Sequence, residues 1–462
     1  MGLLFRNVEV NGARVDVRVA GTRVAEVGTE LATDDEATVL DGRGGVLLPG
    51  LHDHHLHLLA TAAARRSIDC GPPAVRDATG LQHALTVEGG SGWFRGTNYH
   101  ESVAGELDRT VLDRWVPDRP VRIQHRSGAL WMLNSAALSV VSDVLDDSLD
   151  VERDDLGQPN GRLWRYDARL RAGLAADPPD LDALGAELDS YGITGVTDAT
   201  PDLDAAAIDL ITAAHRSGAL AQRVVLLGAA PDTELPDGVV AGPYKLLLRD
   251  HDLPTFDELH VQIEAVHRSR RAVAVHCVSR ESLLLTLAVL DDVGTRDGDR
   301  IEHAGVVPTG VAEWMAALRV RVVTQPGFLH ARGDAYLRDV DPDDRPHLYP
   351  HAGLLASGVP VALSSDAPYG PLDPWQVIDA AMQRRSESGA ILGEAERVSA
   401  ATALAGYLGA PDDPGGAPRR VVAGAVADLC LLHVPLREAL TTPHRSLVRD
   451  VVIDGRVREF DP

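Results

Sequence analysis

The sequence predicts an α/β chain, a (β/α)8 barrel with a small β-sandwich domain formed by both chain termini. Three observations predict it. Short apolar, β-rich runs alternate with longer Ala-, Leu- and Asp-rich stretches through the middle of the chain, the pattern of repeated βα units. Both ends instead carry only short strand-like segments with tight turns. Polar residues able to do chemistry fall at the ends of the central apolar runs, where a barrel places its site.

Each element follows from the residues. The 462 residues exceed what one small core needs and suit a large domain with a smaller one. Leu3 to Val10, Arg14 to Val19 and Val24 to Val27 read as strands with turns at Asn11-Gly12 and Gly21. Ala427 to His433 and Leu447 to Ile453 read the same way, and Asp454-Gly455 turns the last into Arg456-Val457. Residues 1–48 and 420–462 are therefore expected to form one β-domain bracketing a barrel at 49–419. Eight barrel strands are predicted: Leu51–His57, Ile193–Asp198, Arg223–Leu227, Tyr244–Leu248, Ala272–Val278, Arg300–His303, Val320–Gln325 and Pro360–Ser365. The first link is too long for one helix. Residues from about 60 to 190, with a strand candidate at Val121–His125, are read as an insertion over the barrel mouth.

Bulk properties exclude several functions. A net charge of −24 repels nucleic acid and anionic membranes. No apolar run spans a bilayer, and Met1 to Arg6 lacks the layout of a cleaved signal, so a cytoplasmic location is expected. Cys70, Cys277 and Cys430 are scattered and suggest neither a disulfide framework nor a thiolate metal site. Of the 44 basic side chains a single one, Lys245, is lysine. A position that keeps lysine amid so much arginine suits a role that arginine cannot fill, because only lysine gives up its proton readily when buried.

The strand ends concentrate metal-binding groups. His55 and His57 are two apart on the first strand and so share a face. Lys245 lies on the fourth strand, His276 on the fifth, His303 at the end of the sixth and Asp366 just after the eighth. Four imidazoles, one amine and one carboxylate thus converge. Such nitrogen and oxygen ligands suit zinc, and also manganese, iron or nickel.

Pro49-Gly-Leu-His-Asp-His-His55-Leu-His57 resembles the opening signature of the amidohydrolase superfamily, and Arg300-Ile-Glu-His303-Ala, Ser364-Ser-Asp366-Ala-Pro and Gly424-Ala-Val-Ala-Asp428 continue the likeness. Trp93 to Tyr99, Arg119-Pro-Val121 and Gly192 to Ala199 resemble the YtcJ-like branch, amidohydrolase family 3, which includes N-substituted formamide deformylase. The resemblance implies a TIM barrel and a hydrolase of amide-type C–N bonds in N-acyl, N-formyl or cyclic amides. It implies two divalent ions per chain, zinc being the expected metal, although a one-metal site is also compatible. His55, His57 and Asp366 would hold the buried ion, His276 and His303 the exposed one, and Lys245, carboxylated, would bridge them. Asp366 would shuttle the proton from water to the leaving nitrogen, and His303 would serve catalysis beside it. A small-molecule amide is the expected partner, and homodimers are common in the family.

The sequence departs from that branch in loops expected to meet substrate. His276-Cys-Val-Ser-Arg280 stands where Ala-Ile-Gly-Asp usually follows the histidine, the loop after Lys245 is short, and Ser127-Gly-Ala129 replaces an Asp-Gly-His. His125, Trp93, Trp131, Phe328 and Tyr369 are the weaker candidates for substrate contact. Trp375 could join that wall, and Arg384 and Arg385 could hold a carboxylate. His52 and His54 are read as supporting residues. The competing readings are a heterocycle deaminase and a catalytically silent metal- or ligand-binding protein. An isomerase or decarboxylase on the same scaffold has nothing in its favour. Deaminases carry a His-x-x-Glu after the fifth strand, but Ser279 occupies that position here and Glu281 comes two residues late.

Overall fold

The computed structural model describes residues 2–33, 37–87, 92–174, 178–230 and 233–460. The chain divides into two compact units, residues 60–180 and the remainder. In the larger unit eight parallel strands follow one another as β1 (Leu51–Leu56), β2 (Ile193–Asp198), β3 (Arg223–Leu226), β4 (Tyr244–Leu247), β5 (Val273–Cys277), β6 (Arg300–His303), β7 (Arg321–Thr324) and β8 (Val361–Leu363). Each lies within the run expected from sequence, trimmed by up to two residues at an end.

The strands form two sheets rather than one continuous ladder. β4 to β8 pair in sequence order, and β1, β2 and β3 pair with each other and with a short segment, Val239–Ala241, that was not anticipated. Two sets of backbone hydrogen bonds link the sheets. Lys245 N donates to Leu227 O at 3.1 Å, and at the other side Asp366 N donates to His55 O at 2.8 Å and His57 N to Ala367 O at 2.9 Å. Both seams therefore involve residues singled out for chemistry.

Helices cover β4 to β8 for local reasons. Phe256–Arg268 starts at Thr255, whose hydroxyl caps Glu258 N while the Glu258 carboxylate accepts from Thr255 N at 2.8 Å. Its Leu259, Ile263 and Val266 are buried at helical spacing against Val273 and Val275 of β5. Arg280–Val293 is capped by Ser279, so the chain passes from β5 into helix only three residues after His276.

The two terminal regions form two sheets, the second of them shared between both ends. Gly2–Val10, Ala13–Ala20, Arg23–Gly28 and Thr38–Asp41 make the first, and Leu47–Pro49, Leu429–Leu432, Val448–Ile453 and Arg456–Arg458 the second. One hydrophobic cluster draws on both, with Phe5, Val17 and Val19 joined by Leu429, Leu431 and Val452. Thr38–Asp41 and Leu47–Pro49 escaped the sequence reading because they are short.

Residues 60–180 hold a six-stranded sheet in the order Val151–Arg153, Pro159–Trp164, Leu130–Leu133, Val121–His125, Phe94–Tyr99 and Ile68–Asp69. The sequence reading found one of these strands. The unit has its own core around Phe94, Tyr99, Ile123 and Met132. Among the described residues no helix is long and apolar enough to cross a membrane.

Arg271 staples the seam beside Lys245. Pro243 interrupts the strand between Val239–Ala241 and β4 and has no N–H to offer. The Arg271 guanidinium supplies donors there. It bonds the carbonyls of Gly242 and Ala229, and those of Leu226 at 3.2 Å and Leu227 at 3.1 Å, and it packs over the Tyr244 ring. Leu226 and Leu227 carbonyls also receive Gly242 N and Lys245 N, so removing the guanidinium costs chiefly the other two acceptors. Arg271→Met is expected to destabilise the chain by about 3 kcal/mol, since each acceptor left unmet costs roughly 1–3 kcal/mol. Arg271→Lys should recover only part of this, because one ammonium cannot reach four carbonyls. A urea-midpoint series on the three proteins checks it, and equal midpoints would remove Arg271 from this role.

Candidate metal centre

β1 and β8 meet so that their polar residues face each other. The Asp53 carboxylate accepts from His55 N at 3.1 Å and from Ser365 N at 3.2 Å, which ties the two strand ends together. Burial raises the Asp53 carboxyl to about 7. Beyond the end of β1, Asp198 of β2 accepts from Leu58 N at 2.7 Å and from Thr200 N at 3.0 Å. Thr200 in turn holds His57, its Oγ1 lying 3.0 Å from Nδ1.

The structure brings together the expected ligands. Nitrogen atoms of His55 and His303 and an oxygen of Asp366 all lie within 4.8 Å of one another. His57 Nε2 is 3.1 Å from Asp366 Oδ1 and His55 Nε2 is 3.5 Å from the same oxygen. His276 joins from β5, with Nδ1 at 2.9 Å from His303 Nε2. Lys245 is 3% exposed, and its ammonium feels the charges of Glu302 and Asp366.

Two residues that the sequence reading did not single out fix the tautomers. Glu302 is fully buried, is bonded by Arg300 Nε at 2.5 Å, and lies in hydrogen-bond contact with His55 Nδ1. An ionised carboxylate only accepts, so the network assigns the proton to Nδ1 and leaves the lone pair on Nε2. Gln325 does the same for His303. Its amide nitrogen donates to Ser364 Oγ at 2.9 Å, so Oε1 faces His303 Nδ1 at 2.8 Å and the free lone pair is on Nε2. A histidine ligand ordinarily needs such a partner on its other nitrogen.

Electrostatics agree. Burial, aided by the positive charge of Lys245, holds His55 well below the ordinary imidazole range. His303 is likewise depressed, by burial and then by its histidine neighbours. Both rings are therefore neutral near pH 7, the form that binds a metal. Burial also lowers Lys245, while Glu302 and Asp366 oppose the shift.

The donor set fits a divalent cation. Asp366 Oδ1 is buried and has no hydrogen-bond partner, although His55 Nε2, with no proton to give, lies across from it. Two lone pairs held this close need a positive charge between them. Buried polar atoms are otherwise almost always satisfied.

Backbone strain completes the geometry. A regular strand would send Glu302 and His303 to opposite faces. His303 adopts φ 71° and Ala304 φ 49°, which breaks the alternation and lets both side chains serve one site. Asp366 has φ 52°. Left-handed backbone at non-glycine residues costs about 1–3 kcal/mol and clusters at functional sites.

The other expected contacts are placed as follows. Tyr369 stands edge-on to His57, ring centres 5.4 Å apart, beside the centre. Phe328 is buried against Tyr349 and stacks with Arg332. Trp131 is buried in the core of its own unit, with Nε1 bonded to Asp167 at 3.0 Å, and Trp93 packs against the same cluster. His125 bonds Ser127 at 2.8 Å and Glu101 at 3.2 Å. Trp375 is buried and donates to Tyr191 O at 3.1 Å. The suggestion that Arg384 holds a substrate carboxylate is corrected. Its guanidinium is fully buried and spent on three backbone carbonyls, Leu392, Tyr349 and Leu348, at 2.7 to 2.9 Å. His52 is buried and bonds Thr197 at 2.9 Å, and His54 packs beside it.

Glu302→Leu removes the acceptor that orients His55. Metal affinity should fall roughly 10- to 100-fold, as for other supports of histidine ligands. Competition against a chelator measures it. Unchanged affinity would mean that His55 does not ligate through Nε2.

The chain is similar to several known proteins along most of its length. The chain is 27% identical to N-substituted formamide deformylase of Arthrobacter pascens over an alignment covering 97% of this chain and 95% of that one. It is 24% identical to YtcJ of Bacillus subtilis (strain 168), described as an amidohydrolase, over 80% of this chain and 79% of that one. Among solved structures, a metal-dependent hydrolase from Pyrococcus horikoshii OT3 superposes with TM-score 0.72 at 18% identity, covering 99% and 100% of the two chains. Another from Pyrococcus furiosus gives 0.70 at 20% identity, covering 94% and 99%. At these identities the solved structures bear on the fold alone. The profile of the amidohydrolase family matches residues 38–458, nearly the whole chain, and the protein belongs to that family.

Proposed function

We propose that the protein is a metal-dependent hydrolase of an amide-type C–N bond in an N-acyl, N-formyl or cyclic amide. The observation that carries this is Asp366 Oδ1, buried without a hydrogen-bond partner and facing the Nε2 lone pair of His55. The likeness to N-substituted formamide deformylase supports a formyl or other small acyl group. The two hydrogen-bonded seams support closure of the eight strands into a barrel, and the shared terminal core supports a β-sandwich.

His55, His57 and Asp366 would hold one divalent cation, His276 and His303 a second, and carboxylated Lys245 would bridge them, with zinc the expected metal. A bound cation of this kind supplies Lewis acidity and brings the pKa of a water toward neutrality. The rest belongs to the chain. Burial favours a neutral Lys245 amine, whose lone pair adds to the carbon of carbon dioxide while a proton leaves to solvent. Glu302 and Gln325 keep the two imidazoles in the ligating tautomer. Asp366, with Oδ1 given to the cation, takes the proton of the attacking water on its other oxygen, Oδ2, and returns it to the departing nitrogen, which leaves poorly without one.

The deaminase reading loses support at Ser279. That side chain donates to Asp250 at 2.5 Å and caps the helix after β5, so the place of the deaminase glutamate is taken.

Two measurements test the proposal. Asp366→Asn should abolish turnover across an amide and formamide panel while the protein stays folded, and near-normal rates would sink the proton-transfer role. Metal content should be about two per chain in protein made with zinc and bicarbonate, falling to about one or none in Lys245→Ala. About one in both would show that Lys245 is no bridge.

A further inference from the structure

β1 and β2 do not pair in simple register. Asp53 pairs with Val196 and Leu56 with Asp198, so His54 and His55 together face the single residue Thr197. An extra residue on one strand is a β-bulge, which re-aims a side chain and is common beside active sites. Here it falls at His55, the residue that β1 presents to the metal centre. No hydrogen bond from the His54 ring holds the bulge. That ring is buried, and neither nitrogen has a partner among the described residues.

Arg300 reaches the bulge from the other sheet. It lies on β6, which pairs with β5 and β7 and not with β1. Its side chain is 1% exposed, and Nη2 donates to the His54 carbonyl at 3.2 Å. Nε of the same guanidinium donates to Glu302 Oε1 at 2.5 Å. The other carboxylate oxygen, Oε2, lies against His55 Nδ1. Arg300 and Glu302 are two apart on one strand, so their side chains share a face and can meet in this way.

These contacts ask for a guanidinium in particular. A buried carboxylate needs a cationic partner, and lysine would also supply one. A lysine ammonium, however, is a single point at the end of a flexible stem. The guanidinium offers Nε and Nη2 in one rigid plane, so its bonds to Glu302 and to the His54 carbonyl fix each other's direction. A carbonyl in a bulge stands where the ladder is disrupted and, once buried, needs a donor from elsewhere. With both bonds made, rotation of the Glu302 carboxylate and relaxation of the bulge each break a hydrogen bond.

We propose that Arg300 is a positioning residue of the metal centre, setting the His55 imidazole from two sides, its ring through Glu302 and its backbone through the carbonyl of His54. The assignment rests on the reading above that His55 is a metal ligand. Arg300 acts through its neighbours and is not itself a ligand.

Two measurements on the full chain test it. The first is the Nδ1 proton resonance of His55, read in the far-downfield proton NMR spectrum with and without zinc, and assigned by its loss in Glu302→Leu. It should shift or vanish in Arg300→Lys, which keeps a charge beside Glu302 and gives up the two-point grip. The second is zinc affinity by chelator competition. Arg300→Met should weaken it roughly 10- to 100-fold, as for other supports of a histidine ligand, and Arg300→Lys should recover only part of the loss. A residue that served folding alone would lower the thermal midpoint and leave both readouts at their wild-type values. A wild-type chain with no Glu302-dependent resonance, a resonance unmoved in Arg300→Lys, wild-type affinity in Arg300→Met or full recovery in Arg300→Lys overturns the assignment. If Arg300→Met does not fold, Arg300→Lys decides through the same two readouts. Should the wild type bind no zinc, the metal reading fails by itself, and the resonance of the zinc-free chain still decides whether Arg300 sets the His55 ring.

Discussion

The site depends on holding several electron-rich atoms together with no proton between them. Asp366 Oδ1 and the unprotonated Nε2 of His55 lie 3.5 Å apart and would ordinarily drift apart or capture a proton. The protein prevents both. Burial disfavours the imidazolium form, and Glu302 and Gln325 occupy the nitrogens of His55 and His303 that would otherwise rotate into the centre. Asp53 and Asp198 clip the backbone at the two ends of the His55-to-His57 segment. Metal affinity in such a site is stored in the fold, because the cost of crowding the donors is met during folding and recovered on binding.

Much of this was legible in the sequence, for identifiable reasons. The strands carrying Lys245 and His276 are mainly apolar runs, whereas those carrying His55 and His303 are mostly polar and were legible through the motifs they belong to. Glu302 was visible only as part of a motif, since alternation along a strand puts it on the face opposite His303. What returns both residues to one site is the left-handed backbone at His303, and nothing in residue type signals that at a histidine. Gln325 was hidden for a different reason. Its importance comes from Ser364 on the neighbouring strand, a pairing set by register across residues far apart in sequence. The core of residues 60–180 was illegible because its strands mix polar and apolar positions, and Trp131, expected at substrate, is consumed by packing there.

The contrast between one lysine and many arginines acquires a physical meaning. Arginines act here as fixed, permanently charged staples for backbone carbonyls. Arg271 spans the seam beside β4, Arg384 fixes Leu348 and Tyr349, and Arg419 binds Leu408, Gly409 and Gly50 ahead of β1. A planar fork of donors suits that task, and its inability to lose a proton is an advantage. At position 245 the same property would be fatal to a metal site, since a buried guanidinium would repel the cation. Lysine alone offers a basic side chain that burial can neutralise.

The strained residues connect these features. His303, Ala304, Tyr349 and Asp366 all adopt positive φ; the first two run directly into Gly305, whose carbonyl accepts from Tyr349 N. Strain of this kind persists only where the surrounding structure over-determines it. Here Arg384 holds the Tyr349 carbonyl, Gln325 holds the His303 ring, and the His55 carbonyl accepts from Asp366 N, so each strained residue is fixed by a partner from another element.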